Sequence, residues 1–278
     1  MTDLHPKTAP NGLRDLLRGW RDLRGKSQLD LSLDTGISQR HLSFVETGRS
    51  VPSRETLLQV AAALDVPLRE RNALLLAAGY APVYPEPAWD APEMASIVAA
   101  LRRMLRQHEP FPAIVMDRYW DVVLTNEAAP RFFGRFVDLS ARPAPRNMLH
   151  LMFDPDGMRP FVANWEGVAR SLLARVRREA IGRVLDSRTK ALVAALLAYP
   201  GAGCARNAAT PANMPVIPLS FVKDGDTLNY FSMVTTVGDP QAVLAQELRV
   251  ECLFPADDET ERLHVTLMAE SAQMPAAG

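Results

Sequence analysis

The sequence contains little cysteine and no long apolar run. Only two of its 278 residues are cysteine, Cys204 and Cys252, and neither lies at a metal-ligand spacing. No stretch approaches roughly 18 consecutive apolar residues, the length that a membrane-spanning helix needs. The opening MTDLHPKTAPNG has no basic segment followed by an apolar one. We therefore expect no secretory signal, no membrane association, a cytoplasmic location, and two thiols that do not pair.

Residue patterns that would indicate catalysis or a bound metal are also scarce. The five histidines are scattered along the chain: His5, His41, His108, His150 and His264. None has a cysteine or a second histidine at ligand spacing. Gly201, Gly203 and Arg206 form only a broken G-x-G-x-x-G without a preceding strand pattern, and His150 and Asp154 have no accompanying nucleophile. These absences argue against a metal site, a bound cofactor and an enzyme.

Charge is unevenly distributed, although the formal net charge of the whole chain is −1. Residues 11–54 contain eight basic and five acidic side chains, a balance of +3. Residues 237–278 contain two basic and eight acidic side chains, a balance of −6. A positive N-terminal segment suits contact with phosphates, whereas the acidic end argues against nucleic acid wrapping along the entire chain.

The first eighty residues predict an all-α unit of five short helices. Ser27 and Ser38 supply side-chain oxygens that cap the second and third helices, and Gly36 ends the second. Only Gly36 and Ile37 separate these two helices, so a tight turn must join them. This arrangement predicts a helix-turn-helix. The helices are expected at about 13–24, 28–35, 38–47, 53–64 and 67–78.

The rest of the chain predicts a second domain of the α+β class with a mainly antiparallel sheet. We expect a domain over 1–80, a stiff proline-rich linker over 81–92, a domain over 93–262 and a tail over 263–278. Asp224–Asp226 lies between two apolar runs and predicts a hairpin, and 201–213 predicts a loop. The other helices are expected at about 93–108, 127–133, 159–178, 187–199 and 240–247, and the other strands at 113–116, 120–124 and 249–254.

The segment SQLDLSLDTGISQRHLSFVETGRSVPSRETLLQVAAALDV resembles the Xre-type, phage-repressor-like helix-turn-helix. The resemblance covers about residues 13–78 and implies that the third helix reads DNA bases. The residues expected on its DNA side are Ser38, Gln39, Arg40, His41, Ser43 and Phe44. The resemblance also implies phosphate contacts by Gln28, Thr47 and Arg49. Glutamine and arginine suit the reading of bases because they bond bidentately to adenine and guanine edges, respectively. Phe44 either touches a thymine methyl group or packs against a partner.

Three later segments resemble the MmyB-like family of transcription regulators: DRYWDVVLTNEAA, NMLHLMFDPDGMRPFVANWEGVARSLLARVRREA and TTVGDPQAVLAQELRVECLFPADDETE. The resemblance covers about residues 93–262. It implies a PAS-like domain that encloses a small apolar ligand, with fatty acids as the best-supported class.

Methionine and aromatic side chains in this second domain suit an adaptable apolar pocket, although the same residue types also build an ordinary core. Asn164 and Arg170 either receive the polar head of a ligand or form structural hydrogen bonds. The candidate ligand-binding residues are Met116, Leu124, Phe132, Met152, Phe153, Asn164, Trp165, Arg170, Leu172, Phe231 and Met233.

Three functions remain open from the sequence. The first is a regulator that binds a double-stranded DNA operator as a homodimer under the control of a small apolar, fatty-acid-like ligand. The second is a constitutive regulator whose C-terminal domain only dimerises or docks a protein. The third, an enzyme fused to a DNA-binding module, has the least support because the sequence displays no acid, base and nucleophile constellation.

Overall fold

The computed structural model describes residues 11–181, 187–202 and 218–273. Within these ranges the chain divides into two compact units. The first unit consists of residues 11–87, 179–181 and 239–246, and the second of residues 88–178, 187–202, 218–238 and 247–273.

The first unit contains the five predicted helices, each with bounds within two residues of the expected ones. They are α1 (Asn11–Leu23), α2 (Gln28–Thr35), α3 (Gln39–Glu46), α4 (Arg54–Ala63) and α5 (Leu68–Ala77). The all-α class of this unit is therefore confirmed.

Local hydrogen bonds explain where these helices begin and end. The Ser27 hydroxyl accepts from the Asp30 amide at 3.1 Å, and the Asp30 carboxylate accepts from the Ser27 amide at 2.8 Å, which completes a capping box at the start of α2. At α3 and α4 the Ser38 and Ser53 hydroxyls accept from the amides of His41 and Thr56, without a reciprocal carboxylate. Gly36 ends α2 with a φ of +69°, a conformation that glycine adopts without a Cβ penalty.

The core of the first unit comes from apolar side chains at helical spacing, led by Leu13, Trp20, Leu31 and Leu57. Part of the predicted linker is bound to this core. The Asn72 carboxamide accepts from the amides of Val83 and Tyr84 at 3.1 Å and donates to the Tyr84 carbonyl at 2.8 Å. The proline-rich segment is therefore fixed on the helices at its beginning.

The second unit is built from one sheet with helices around it. Its helices are α6 (Ala95–Gln107), α7 (Ala128–Gly134), α8 (Met148–Phe153), α9 (Trp165–Ile181), α10 (Ser187–Ala198), α11 (Val243–Glu247) and α12 (Asp258–Gln273), of which α9 and α11 also supply residues to the first unit. Its strands are β1 (Ala113–Met116), β2 (Val122–Thr125), β3 (Leu219–Lys223), β4 (Asp226–Thr236) and β5 (Arg249–Pro255).

The five strands lie in the order β2-β1-β5-β4-β3, and every neighbouring pair is antiparallel. Val115 pairs with Val250, and Met233 pairs with Cys252. Asp224 and Gly225 have φ values of +54° and +92° and form the two-residue turn between β3 and β4. The predicted α+β class with an antiparallel sheet is confirmed.

A buried amide ties this sheet to a helix. The Asn126 side-chain oxygen accepts from the amides of Ala113 in β1 and Ala129 in α7, both at 3.1 Å. Its nitrogen donates to the Phe111 carbonyl at 2.7 Å. One side chain thus satisfies three backbone groups that the elements themselves leave unpaired.

The long helix α9 starts at Trp165, six residues later than the sequence predicts. Residues Arg159–Phe161 form a 3₁₀ turn instead, and Val162 then pairs with Phe221 of β3. The Ala163 amide donates to the Ser220 carbonyl at 2.8 Å. The predicted helix included this extended stretch because an apolar stripe does not reveal that Val162 pairs with a strand residue 59 positions later in the chain.

Two further helices differ from the expectation. The sequence does not predict α8, which Asn147 caps by accepting from the amides of Leu149 and His150. The predicted tail from residue 263 lies partly within α12, where His264 and Leu267 are buried. Most of the predicted loop 201–213, including Cys204, lies outside the described residues.

Residues 239–246, which precede β5, belong to the first unit. The predicted domain limits place them in the second domain instead. The Val243 amide donates to the Pro85 carbonyl at 3.0 Å, and the Gln246 side chain accepts from the Leu68 amide at 2.7 Å. The remaining domain limits stay predictions.

Candidate nucleic-acid interface and ligand cavity

The third helix presents one polar face to solvent. Leu42 and Val45 are buried in the helical core, as predicted, whereas Ser38, Gln39 and Arg40 are exposed. His41, Ser43 and Phe44 are half-buried, and Thr47 and Arg49 are exposed. The long side chains that can bond bidentately to base edges are therefore available on this face.

Phe44 lies between two arginines. The Arg40 guanidinium carbon lies 5.3 Å from the centre of the Phe44 ring, and that of Arg49 lies 5.9 Å from it. Both distances suit a cation–π interaction. The ring thus contacts the predicted base-reading arginine and the predicted phosphate-binding arginine, a role that the sequence analysis did not assign to it.

Three other predicted DNA contacts have structural hydrogen bonds. The Ser38 hydroxyl caps α3 by accepting from the His41 amide at 3.3 Å. The Thr47 hydroxyl donates to the Ser43 carbonyl at 2.7 Å. The Gln28 amide nitrogen donates to the Glu46 carboxylate at 2.8 Å. These bonds fix the ends of α2 and α3, so part of each side chain's bonding capacity is already used.

An ion pair that the sequence analysis missed positions the end of α3. The Arg21 guanidinium donates to both Glu46 carboxylate oxygens, at 2.6 and 3.2 Å, and also to the Lys26 carbonyl at 2.7 Å. The hydrogen bond to Glu46 raises the pKa of Arg21. Arg21 and Glu46 are 25 residues apart, and no periodic pattern links them. The pair connects α1 to α3 and also orients Gln28 through the shared carboxylate.

The second unit contains a cavity of about 490 Å³, including its opening to solvent, between the sheet and helices α7, α8 and α9. Eleven of its twelve lining residues are apolar. Met116, Met152 and Leu172 are the predicted ligand-binding residues on its wall. The full lining consists of Ile114, Met116, Trp120, Phe133, Met148, Leu149, Met152, Leu172, Leu219, Phe221, Glu251 and Leu253.

Five predicted ligand-binding residues lie elsewhere in the second unit. Phe132 and Phe153 are completely buried in the core. Because side chains alternate along a strand, Phe231 and Met233 lie on the opposite face of β4 from the buried Tyr230. Phe231 stacks on Phe254 with 5.6 Å between ring centres, and Met233 is 54% exposed. Leu124 lines a separate surface depression beside α6.

The polar candidates also lie away from the cavity wall. The Asn164 side chain donates to the Pro218 carbonyl and accepts from the Ser220 amide at 3.2 Å, which is the structural role weighed in the sequence analysis. Trp165 is half-buried against Phe153, with 5.0 Å between ring centres. Arg170 is half-buried and does not line the cavity.

Trp120 is the most unusual residue of the cavity wall. Its φ of +69° is rare for a bulky side chain, and such backbone strain costs about 1–3 kcal/mol. The indole is 1% exposed, and its Nε1 finds no hydrogen-bond acceptor among the described residues. A buried donor without an acceptor costs a further ~1–3 kcal/mol. The guanidinium carbons of Arg175 and Arg249 lie 4.4 and 5.9 Å from the ring centre.

Two ion pairs accompany Trp120 in the second unit. Arg175 Nη1 lies 3.4 Å from Glu251 Oε2, so the arginine that lies against the Trp120 ring also pairs with the charged residue of the cavity wall. Arg118 and Glu247 form a pair at 2.6 Å, with side chains only 2% and 6% exposed. The sequence analysis missed both pairs because their partners are 76 and 129 residues apart.

Over residues 11–181, 187–202 and 218–273, three or more potential metal-ligating side chains nowhere converge on one point. In the same ranges, no helix has both the length and the apolar character needed to cross a membrane.

Comparison with solved structures finds a low similarity to an RNA-binding light-oxygen-voltage receptor, with 14% identity and a TM-score of 0.29. The alignment covers 94% of this chain and 64% of the receptor, so the chain spans less than two thirds of that protein's length. No curated protein matches the chain.

Family comparison gives two matches that follow the division into units. Residues 17–71 match a helix-turn-helix family. Residues 97–267, more than half of the chain, match the ligand-binding domain of MmyB-like transcription regulators. Both resemblances seen in the sequence are therefore confirmed, and these families indicate a DNA-binding regulator rather than an enzyme. The chain belongs to the MmyB-like transcription regulators.

Proposed function

We propose that this regulator binds a double-stranded DNA operator as a homodimer, and that a small apolar ligand in the cavity of the second unit controls its DNA affinity. The observation that carries the ligand part is the cavity, since eleven of its twelve lining residues are apolar. Small-molecule sites are typically lined by apolar and aromatic side chains with few polar groups, as this cavity is. A fatty-acid-like molecule, as the family resemblance implies, fits this lining.

The DNA part rests on the exposed face of α3. Gln39 and Arg40 are exposed there, and each can read a base edge in the major groove. Ser43 and Phe44 follow on the same helix, and His41 lies beside them. Arg49 and Thr47 are exposed at the end of α3, where the backbone of the DNA would pass. Gln28 contacts a phosphate and Ser38 faces the groove, each through the bonding capacity that its structural hydrogen bond leaves.

Dimer formation follows from the small size of the DNA-binding unit. One helix-turn-helix offers a single recognition helix, so specific binding normally needs two copies on half-sites about 34 Å apart. A ligand changes this fit only as far as it prefers one dimer geometry, and coupling of about 1–3 kcal/mol is typical.

The DNA part can be tested with operator sequences selected from random double-stranded DNA. Arg40→Ala should weaken specific binding by about 1–3 kcal/mol and relax the preference at one base pair. Arg18→Ala, which removes the same charge from an exposed side chain of α1, is the matched control and should leave the base preference unchanged. An unchanged base preference in Arg40→Ala would remove Arg40 from the proposed reading residues.

The ligand part can be tested by native mass spectrometry of the protein purified from its own host. A stoichiometric apolar adduct on a dimer would support the proposal. Release of the adduct should then change the dissociation constant for the selected operator. A ligand-free dimer that binds the operator with the same affinity would instead favour a constitutive regulator whose second unit serves assembly.

A further inference from the structure

Phe44 is a large aromatic residue that does not serve the core of the first unit. Its ring is half-buried. Among the described residues of that unit, it belongs neither to the buried apolar cluster nor to the half-buried apolar side chains packed against the cluster. Its ring contacts are with the guanidinium groups of Arg40 and Arg49, whose carbons lie 5.3 and 5.9 Å from the ring centre. The ring therefore serves the polar face of α3.

The helix itself brings Arg40 to the ring. Arg40 and Phe44 are four residues apart within α3. Side chains at this spacing lie on the same face of a helix, one turn apart, and can contact each other. The contact between the predicted base-reading arginine and the ring is thus a direct result of the helical period.

The turn after α3 brings Arg49 to the same ring. Gly48 has a φ of +77°, a left-handed conformation that suits glycine. The Gly48 amide donates to the Val45 carbonyl at 3.1 Å, and the Arg49 amide donates to the Phe44 carbonyl at 2.8 Å. These two bonds form a Schellman motif, in which an apolar contact frequently joins the residues at the positions of Arg49 and Phe44. Here an arginine occupies the apolar position, so a cation packs on the ring.

Neither arginine is bound to an acidic side chain. Within residues 11–181, 187–202 and 218–273, the Arg40 and Arg49 side chains form no ion pair and no hydrogen bond. Arg21 differs, because its guanidinium donates to both Glu46 carboxylate oxygens. A guanidinium on an aromatic ring needs no acceptor, so its N–H donors stay available for DNA. The ring thus restricts the two arginines without neutralising them.

Restriction of these side chains in the free protein favours DNA binding. A long side chain loses rotamer freedom when it binds, and a group that is already held in place loses less. We propose that Phe44 is a positioning residue, which holds Arg40 for a base edge and Arg49 for a phosphate and does not itself read a base. This inference rests on the proposed function, because it assumes that Arg40 reads a base pair.

The base preference of the selected operators distinguishes positioning from direct reading. Arg40→Ala identifies the base pair that Arg40 reads. Phe44→Leu keeps an apolar side chain but removes the ring, so it should relax the preference at that same base pair. It should also weaken operator binding about threefold to tenfold, since each exposed cation–π contact is worth roughly twofold to fivefold in an equilibrium constant. Phe44→Tyr, the matched control, retains the ring and should stay within about twofold of the wild-type protein.

Two results of this selection would overturn the inference. Relaxation at a different base pair in Phe44→Leu would make Phe44 a direct reader, for example of a thymine methyl group. Unchanged operator binding in Phe44→Leu would also reject positioning. If the wild-type protein selected no operator, the proposed DNA function would fail together with the inference. Relaxation by Arg40→Ala without any change in Phe44→Leu would leave that function intact and reject only the inference.

A double variant tests whether Phe44 acts through Arg40. Phe44→Leu should weaken operator binding less in an Arg40→Ala background than in the wild-type protein, because one of the two arginines is then absent. Equal losses in both backgrounds would contradict the positioning of Arg40. Non-specific DNA binding depends on charge, which Phe44→Leu retains, so this affinity and its salt dependence should not change. An equal loss on non-specific DNA would assign the effect to a damaged fold and overturn the inference.

The mobility of the arginine side chains gives a readout that needs no DNA. Nitrogen-15 relaxation of the arginine Nε–H groups measures their order on the full-length protein. The order parameters of Arg40 and Arg49 should fall in Phe44→Leu and persist in Phe44→Tyr. Arg54, an exposed arginine of α4, is the internal control and should not change. Unchanged order parameters for Arg40 and Arg49 in Phe44→Leu would overturn the inference whatever the DNA measurements show.

Discussion

The limits of the helices in the first unit are set by short-range contacts, whereas several polar side chains of the second unit have partners far away in the chain. In the first unit, serines cap α2, α3 and α4 through bonds to amides three residues later. In the second unit, Arg118 pairs with Glu247 across 129 residues, and Tyr230 bonds His264 across 34 residues. The difference teaches that local rules describe the helix limits of the first unit well, whereas the polar groups of the second unit have partners that only the folded chain brings together.

Removal of one partner of the buried ion pair tests this comparison most severely. Arg118→Ala leaves Glu247 buried without its main partner, which should destabilise the second unit by about 3–5 kcal/mol. Urea unfolding measures the loss, and limited proteolysis with mass spectrometry identifies which unit opens. Cleavage should increase in the second unit and not within α1–α5.

The matched control for this variant is the exposed pair Arg131–Glu127, whose side chains are 45% and 80% exposed. Arg131→Ala should cost no more than ~1 kcal/mol, because surface pairs are screened by water. If Arg118→Ala cost as little as Arg131→Ala, long-range ion pairing would not distinguish the two units.

A buried histidine should make the stability of the second unit depend on pH. The Tyr230 hydroxyl oxygen lies 2.7 Å from His264 Nδ1, and His264 Nε2 lies 2.8 Å from the Pro110 carbonyl oxygen. Burial lowers the pKa of His264 below its usual value of 6.5. Because the unfolded chain binds the proton first, this stabilisation is complete above about pH 6.5 and is lost as the pH falls toward the lower pKa of the folded state.

The expected slope is up to ~1.4 kcal/mol per pH unit, the value for one proton. Urea unfolding between pH 5 and 7 measures it. The double variant Tyr230→Phe, His264→Phe removes both polar groups while keeping two rings, and its stability should lack this contribution. An identical slope in the double variant would assign the pH dependence to other groups.

Loss of a single helix cap should have the smallest effect and should stay within the first unit. Ser27→Ala removes the hydroxyl that accepts from the Asp30 amide at the start of α2 and should destabilise this unit by about 1 kcal/mol. For a unit of this size the melting temperature should fall by roughly 4–8 °C. Ser27→Asn, which retains a capping oxygen, should lie close to the wild-type protein. A larger loss in the second unit than in the first would contradict the local character of this stabilisation.

The contrast between local and long-range contacts also explains which helix and strand limits could be predicted from the sequence. Helices α1–α5 were predicted within two residues because serine, glycine and apolar spacing mark their limits locally. The turn at Asp224 and Gly225 was predicted for the same reason. The start of α9 was misplaced because Val162 pairs with a strand that is distant in the chain, and the pattern of α8 was too short to recognise.

The candidate sites follow this rule as well. The exposure of Gln39 and Arg40 follows from the period of α3, so the sequence predicts it. Met116, Met152 and Leu172 are expected to bind a ligand and lie on one cavity wall, a placement that depends on how the helices pack on the sheet. Trp120 and Glu251 were not predicted as lining residues, because neither a positive φ nor a place on a cavity wall leaves a signal in the sequence.

The hydrogen bonds of Asn126 affect how backbone amides exchange with solvent. The amides of Ala113 and Ala129 belong to a strand and a helix, but both donate to one side-chain oxygen. A single rotation of the Asn126 side chain would release both at the same time. Their amide hydrogens should therefore exchange with deuterium at linked rates, and this pair would report the opening of one side chain rather than the fraying of either element.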